Sequence, residues 1–257
     1  MIRQAATAAA LLALAGCATA PPAPRTPAER ALGAHAKRAL ADPGKVVGTE
    51  IAFARMAQDE GLWTAFREYA AEDAVMFMPQ ATSAQTWLKG RNDPPEPIRW
   101  QPHQVWSSCD GSLAVSTGAA QYPDGSHGYF VTVWKRQADG AYRWIMDTGG
   151  TLDEPWEAPE FIDAQVASCD PLAPMAATVD EAGGTSYAYA SNDRTLRAGV
   201  RLDPWCGRIV TASVFRGNES DEDPPGAKRG SEQVLYRAVP PPPLAAGEAA
   251  PPRACEA

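Results

Sequence analysis

The strongest constraint on this chain lies between Ile98 and Gly150, where four runs follow one another: IRWQPHQVWSS, SLAVSTGAAQY, GYFVTVWKRQ and AYRWIMDTGG. Each is rich in β-branched and aromatic residues, which suit a pleated, half-buried surface. Each is cut from the next by an Asp-Gly pair: Asp110-Gly111, Asp124-Gly125 and Asp139-Gly140. Asp-Gly between apolar runs marks a hairpin, because glycine supplies the positive φ that tight turns need. The runs therefore predict an antiparallel meander of four long strands.

Upstream of the meander the periodicity changes. Over Lys45–Glu60, Val47, Ile51 and Ala54 recur at helical spacing, with Phe53 and Met56 widening the stripe. Gly61 ends that helix, and Leu62–Ala71 reads as a second. A strand over Ala74–Met78 is stopped by Pro79. A short third helix follows over Ser83–Lys89, with Ser83 as its N-cap and Gly90 as its stop. Downstream, Asp153–Pro159 reads as a linker and Phe161–Ser168 as a brief helix. Four alternating runs come next, Ser186–Tyr189, Leu196–Leu202, Arg208–Phe215 and Gln233–Val239. They predict a small antiparallel sheet, a unit that needs a partner surface or a staple.

The ends have a different character. Ala5–Leu14 is an apolar run behind Arg3, too short to cross a bilayer. The tetrapeptide that follows, Leu14-Ala15-Gly16-Cys17, closely resembles the lipobox of bacterial lipoproteins. That resemblance implies cleavage before Cys17, lipidation of Cys17 and a membrane partner held through the lipid anchor. Ala18 stands where an aspartate resembles an inner-membrane retention signal. The implied address is therefore the cell envelope, on the periplasmic side of the outer rather than the inner membrane. The expected segments are a leader over 1–16, a Pro-rich tether over 17–44, a main domain over 45–151, a β extension over 160–239 and a disordered Pro/Ala-rich tail over 240–257.

The formal net charge is −8, from 31 acidic and 23 basic residues, with no basic patch. Such a chain is a poor partner for nucleic acid. Besides Cys17 there are Cys109, Cys169, Cys206 and Cys255, an even number that allows two disulfides in an oxidising compartment. Cys169 and Cys206 flank the small sheet and are the expected staple. With three scattered histidines and no C-x-x-C spacing, neither a metal nor another cofactor is expected. No phosphate-binding loop, H-E-x-x-H or G-x-S-x-G motif occurs.

Three stretches carry a second resemblance: GLWTAFREYAAEDAVMFMP, IRWQPHQVWSSCDGSLAVSTG and GYFVTVWKRQADGAYRWIMDTG. Over residues 45–150 the order of elements resembles the nuclear-transport-factor-2-like superfamily, which includes polyketide-cyclase-like (SnoaL-like) and ketosteroid-isomerase-like proteins. The resemblance implies an α+β, cone-like fold of short N-terminal helices packed on a curved antiparallel sheet, followed here by the small all-β appendage. It also implies an apolar pocket and a homodimer through the open sheet face. Pocket residues expected on that basis are Phe53, Trp63, Phe77, Met78, Trp87, Trp100, Trp106, Tyr129, Trp134, Trp144 and Met146.

Three polar residues are candidates for chemistry. Asp147 lies in the last strand, between Met146 and Thr148, where burial would raise its pKa toward a value useful for proton transfer. His103 on the first long strand could partner it, and Asp73 stands near the position of a catalytic base in isomerases of this group. Those enzymes also want a tyrosine on the first helix, where this chain has Phe53 and Met56. The expectation is accordingly non-catalytic binding of a small apolar ligand or a protein partner. The alternative is an isomerase or cyclase that uses Asp147.

Overall fold

The computed structural model describes residues 41–78, 80–169, 185–203, 206–217 and 230–240. The expected leader, Cys17, the tether up to residue 40 and the tail from residue 241 lie outside these residues. Three helices and eleven strands are described, beginning with α1 (Pro43–Asp59), α2 (Leu62–Tyr69), β1 (Ala70–Phe77), β2 (Ala81–Ser83) and α3 (Ala84–Leu88). The meander follows as β3 (Arg99–Ser107), β4 (Leu113–Gln121), β5 (His127–Arg136) and β6 (Tyr142–Leu152). The remaining strands are β7 (Asp163–Val166), β8 (Thr185–Ala190), β9 (Leu196–Leu202), β10 (Arg208–Phe215) and β11 (Ser231–Val239). No helix among the described residues is long and apolar enough to cross a membrane.

The four-strand meander forms as its turns predict, with β3, β4, β5 and β6 paired antiparallel in sequence order. Gly111, Gly125 and Gly140 all take the positive φ that their turns require. The wider architecture departs from the α+β expectation. Strands dominate, and the main sheet is a seven-stranded mixed one, ordered β2-β1-β6-β5-β4-β3-β7. Two of its pairings are parallel, β1 with β6 and β3 with β7. With three helices among the described residues, the first of them 17 residues long, this is not a cone of short helices on a curved antiparallel sheet. One physical reason lies at residues 163–166. Read as part of a helix, they instead hydrogen-bond along the open edge of β3 and extend the sheet.

The first helix starts earlier and turns differently than its apolar residues suggest. Asp42 caps it, its Oδ1 accepting from the Lys45 N–H at 3.1 Å, and Pro43 occupies the first turn. The buried stripe is Val46, Glu50, Phe53 and Ala57, whereas Ile51 is 42% exposed. A glutamate therefore holds a core position. The second helix is capped from a distance: Asp93 Oδ1 accepts from the N–H groups of Trp63 and Thr64, and Asp93 Oδ2 accepts from the Thr64 hydroxyl. A side chain on Gly61 would collide with that carboxylate, its Cβ falling 2.4 Å from Asp93 Cγ. Partial burial opposes the charge of Asp93, yet the hydrogen bonds from Thr64 and Trp63 hold its pKa below the usual value.

Both faces of the central strands are covered. One face meets the helices through Trp134 and Trp144, both fully buried, each contributing roughly 2–3 kcal/mol by burial. The other, with buried Tyr129, Val131, Val133 and Met146, meets the second sheet, ordered β11-β10-β9-β8. Contacts across that layer include Arg208 of β10 donating to Thr148, Tyr187 of β8 against Phe77, and Arg237 of β11 over the Tyr129 ring. The sheet face on which the homodimer was expected is thus occupied by the chain's own second sheet.

Two matching turns lock the sheets together. In Ser108–Leu113 (SCDGSL), Asp110 Oδ1 accepts from Ser108 Oγ, Ser112 N and Ser112 Oγ. In Ser191–Leu196 (SNDRTL), Asp193 Oδ1 accepts from Ser191 Oγ, Thr195 N and Thr195 Oγ1 in the same way. The turns then bond to each other, Asp110 N to Asp193 Oδ2 at 2.7 Å, Cys109 N to Thr195 Oγ1 at 2.9 Å and Asn192 N to Ser112 Oγ at 2.9 Å. Beside them lies a Cys109–Cys169 disulfide. The expected Cys169–Cys206 pairing is therefore wrong, and Cys206 is disulfide-bonded elsewhere. Chain order misled here, because β7 runs parallel to β3 and so delivers Cys169 to the β3–β4 turn.

Candidate functional site

The helix face of the main sheet carries a polar row. Ser116 of β4 pairs with Thr132 of β5, and Thr132 pairs with Asp147 of β6. Cross-strand partners share a face, so all three side chains point toward the helices. A bulge sets this phase: Val133 pairs with Met146 and Trp134 with Trp144, leaving Ile145 as the extra residue. Trp144, and not Ile145, therefore shares the face of Asp147.

At one end of the row Glu50 is fully buried and fully engaged. Its Oε1 accepts from Trp100 Nε1 at 2.8 Å, and its Oε2 accepts from Ser116 Oγ at 2.6 Å and Trp134 Nε1 at 3.0 Å. Burial raises the Glu50 pKa, and the donors from Ser116, Trp100 and Trp134 oppose that rise. The sequence reading passed over Glu50, since a glutamate in a helix is usually taken for a solvated one.

At the other end Asp147 opens on a cavity of about 290 Å³. Phe53 of α1, Trp63 and Phe66 of α2, Trp100 of β3 and Phe130 of β5 form much of its wall. The rings meet edge to face, Phe53 with Phe66 and with Trp100 at 4.9 Å, and Trp63 with Phe66 at 5.5 Å. Thr132 Oγ1 donates to Asp147 Oδ2 at 2.7 Å, the one hydrogen bond to this carboxyl among the described residues. Asp147 keeps some accessible surface, but that surface faces the cavity and its aromatic rings. Dehydration pushes its pKa up to about 7; the Thr132 hydrogen bond opposes this, Glu50 adds to it, and Arg208 opposes it. Three other depressions among the described residues are larger, but the carboxyls in their linings, Asp203 and Glu96, are exposed.

The second sheet supplies the cavity's cation. Arg208 of β10 is 9% exposed and lines the cavity with Tyr122 and Tyr129. Its Nε donates to Thr148 Oγ1 at 2.8 Å and its Nη2 to the Gly149 carbonyl at 2.7 Å. Dehydration raises the Tyr122 pKa, and Asp147 nearby adds to that.

Of the expected pocket residues, Phe53, Trp63, Phe77, Met78, Trp100 and Tyr129 line the cavity. Five do not. Trp87 packs outside it, edge-on to Trp63 and under the Arg91 guanidinium. Trp134 is committed to Glu50, and Trp144 donates to the Phe66 carbonyl. Trp106 and Met146 point to the opposite face of the sheet.

Of the three candidate catalytic residues only Asp147 reaches the cavity. The side chain of Asp73 is 72% exposed, 4.0 Å from Lys135. His103 sits at a bulge between Pro102 and Gln104, opposite Gly118, where a Cβ would fall 1.9 Å from the Gln101 carbonyl oxygen. There it is buried against Trp156, with neither ring nitrogen hydrogen-bonded, and burial lowers its pKa. Met76, Phe66, Tyr122, Phe130, Thr132 and Arg208 line the cavity without having been singled out. Thr132 was not findable from the Asp139-Gly140 hairpin, because its register, carried on without the bulge at Ile145, sets Val131 opposite Asp147. Among the described residues no group of three or more His, Cys, Asp or Glu is placed to hold a metal ion.

No family model and no curated protein matches the chain. Several solved structures resemble it in part. A "putative ketosteroid isomerase" from Parabacteroides distasonis is 16% identical, covering 46% of this chain and 98% of that one, with a TM-score of 0.35. A "putative aromatic ring hydroxylase" from Novosphingobium aromaticivorans is 14% identical, covering 45% and 92%, with a TM-score of 0.33. A "putative ketosteroid isomerase" from Shewanella frigidimarina is 18% identical, covering 40% and 94%, with a TM-score of 0.30. These likenesses are to under half of the chain, and none says what this chain binds or catalyses.

Proposed function

We propose that this chain binds a compact, largely apolar ligand in the cavity between α1, α2 and the main sheet. The observation that carries this reading is a cavity walled by aromatic rings in which one carboxyl, Asp147, has a single hydrogen-bond partner. Specific small-molecule sites combine an apolar wall with a few convergent polar groups. A core built for stability alone would have filled the space or satisfied the carboxyl, as it does at Glu50.

A second reading is favoured by the pKa of about 7 at Asp147. A carboxyl that gains and loses its proton near neutrality suits general acid–base work on a bound ligand, with Thr132 fixing the orientation of the group. In this reading the protein is an isomerase- or cyclase-type enzyme acting by proton transfer.

The address proposed for this activity is the cell envelope, with Cys17 as the lipidated residue. Its support is the Leu14–Cys17 sequence. Replacement of Cys17 by alanine is expected to abolish lipid labelling and release the chain from membranes; labelling that persists would contradict the address.

Tryptophan fluorescence tests the cavity, because Trp63 and Trp100 line it. Titration with naphthalene-sized probes is expected to quench the wild-type chain saturably, and Ala120→Phe, which puts a ring into the cavity from the Ala120 position in its lining, is expected to abolish the effect. Absence of saturation in the wild type, or an unchanged response in the variant, would overturn the reading.

A further inference from the structure

The cavity wall contains a cation with no ion-pair partner among the described residues. Arg208 is buried, yet both of its hydrogen bonds go to neutral acceptors, the Thr148 hydroxyl and the Gly149 carbonyl. Among the described residues no carboxylate lies within ion-pairing distance of it. Asp147 is the one acid in the cavity lining, and it is bonded to Thr132. Burying an ion without a partner costs several kcal/mol, so a guanidinium in this position calls for an anion.

The geometry of its bonds says which part of the group is available. A guanidinium carries five N–H donors in a fixed fork. The bonds from Nε and Nη2 occupy one edge, against Thr148 and Gly149. The end-on edge, Nη1 with the second hydrogen of Nη2, has no partner among the described residues. A planar carboxylate matches such an edge with two parallel hydrogen bonds. Close by, the Tyr129 hydroxyl is buried without a hydrogen-bond partner, and Tyr129 too lines the cavity.

We infer that Arg208 is the ligand-anchoring residue of the cavity and that it selects a carboxylic acid with an apolar, ring-sized body. The inference rests on the ligand-binding reading above and names the ligand class. A phosphate or sulfate monoester fits less well. Its tetrahedral, more highly charged head wants more donors than one guanidinium edge, and each added negative charge is opposed by the Asp147 carboxyl in the same dehydrated space. The aromatic walls supply the affinity for the body, and the second sheet, through Arg208, supplies the choice of head group.

The test uses the full chain and acid–amide pairs that differ only in the head group: benzoic acid and benzamide, 2-naphthoic acid and 2-naphthamide. Isothermal titration is expected to show the wild type binding the fitting acid at least about tenfold more tightly than its amide, the effect of one charge-assisted hydrogen-bond pair. Arg208→Gln is expected to abolish that preference, bringing acid and amide affinities to within about threefold of each other, and Arg208→Lys to retain only part of it. If the wild type binds acid and amide equally, the anchor is overturned and the cavity reading stands. If no pair binds at all, the cavity reading falls and the anchor with it. The wild-type acid–amide ratio decides the matter even where the glutamine variant fails to fold, which circular dichroism would reveal.

Discussion

Glu50, fully buried, and Asp147, half-buried, are carboxyls at the two ends of one polar row, and the protein treats them in opposite ways. Glu50 has two indole N–H groups and a hydroxyl donating to its oxygens, and it sits in a packed core. Asp147 has one hydroxyl and an open cavity in front of it. Burial raises both pKa values. The difference lies in the compensation: a satisfied buried carboxyl specifies packing, and an unsatisfied one facing a cavity is available to a ligand.

The largest effect expected from this contrast is at Glu50. Glu50→Ala removes the acceptor of Trp100 Nε1 and Ser116 Oγ and leaves Trp134 Nε1 with Ser116 Oγ alone, and about 4 kcal/mol of stability should be lost in urea unfolding at neutral pH. Glu50→Gln keeps an acceptor oxygen and should cost much less. A loss below about 1 kcal/mol in the alanine variant would show that the network is not structural.

Asp147→Asn should do the reverse. The folded-state pKa of about 7 lies above the ordinary aspartate value of roughly 3.9, so folding disfavours the charged form. Stability from this group is highest below the unfolded pKa and falls as the pH rises from about 4 to about 7, by at most about 4 kcal/mol and by less where cavity water reaches the carboxyl. The asparagine variant should lose that slope and be more stable than the wild type by about 1–3 kcal/mol at pH 8, while losing any proton-transfer activity. A variant less stable than the wild type at pH 8 would place Asp147 with Glu50 as a structural group.

The smallest effect belongs to Thr132→Val. This change removes the one hydrogen bond that lowers the Asp147 pKa, so the titration should move upward while unfolding free energy changes by less than about 1 kcal/mol. An unmoved titration would mean that Thr132 does not tune the carboxyl.

The local rules of the sequence reach far in some places and fail for identifiable reasons in others. The Asp-Gly turns and alternating runs were sufficient for β3 to β6 and for the four strands of the second sheet, because turn chemistry and period two are short-range signals. The phase of α1 was not legible, since a glutamate occupies a core position and a good apolar residue, Ile51, is exposed. The faces around Asp147 were not legible, because the bulge at Ile145 breaks period two. Parallel pairings such as β3 with β7 join distant segments and leave no local mark. For the same reason Arg208, brought into the cavity from another sheet, could not be seen from its neighbours in the chain. Asp147 could be, because an aspartate inside an apolar strand is an exception to the pattern around it.

The most direct test is the titration of Asp147 itself, followed by carboxyl ¹³C NMR of the full chain and assigned by the signal that disappears in Asp147→Asn. A midpoint near 7 is expected. A midpoint near 4, the ordinary aspartate range, would mean that the carboxyl is solvated, and the cavity would lose the group on which its proposed function rests.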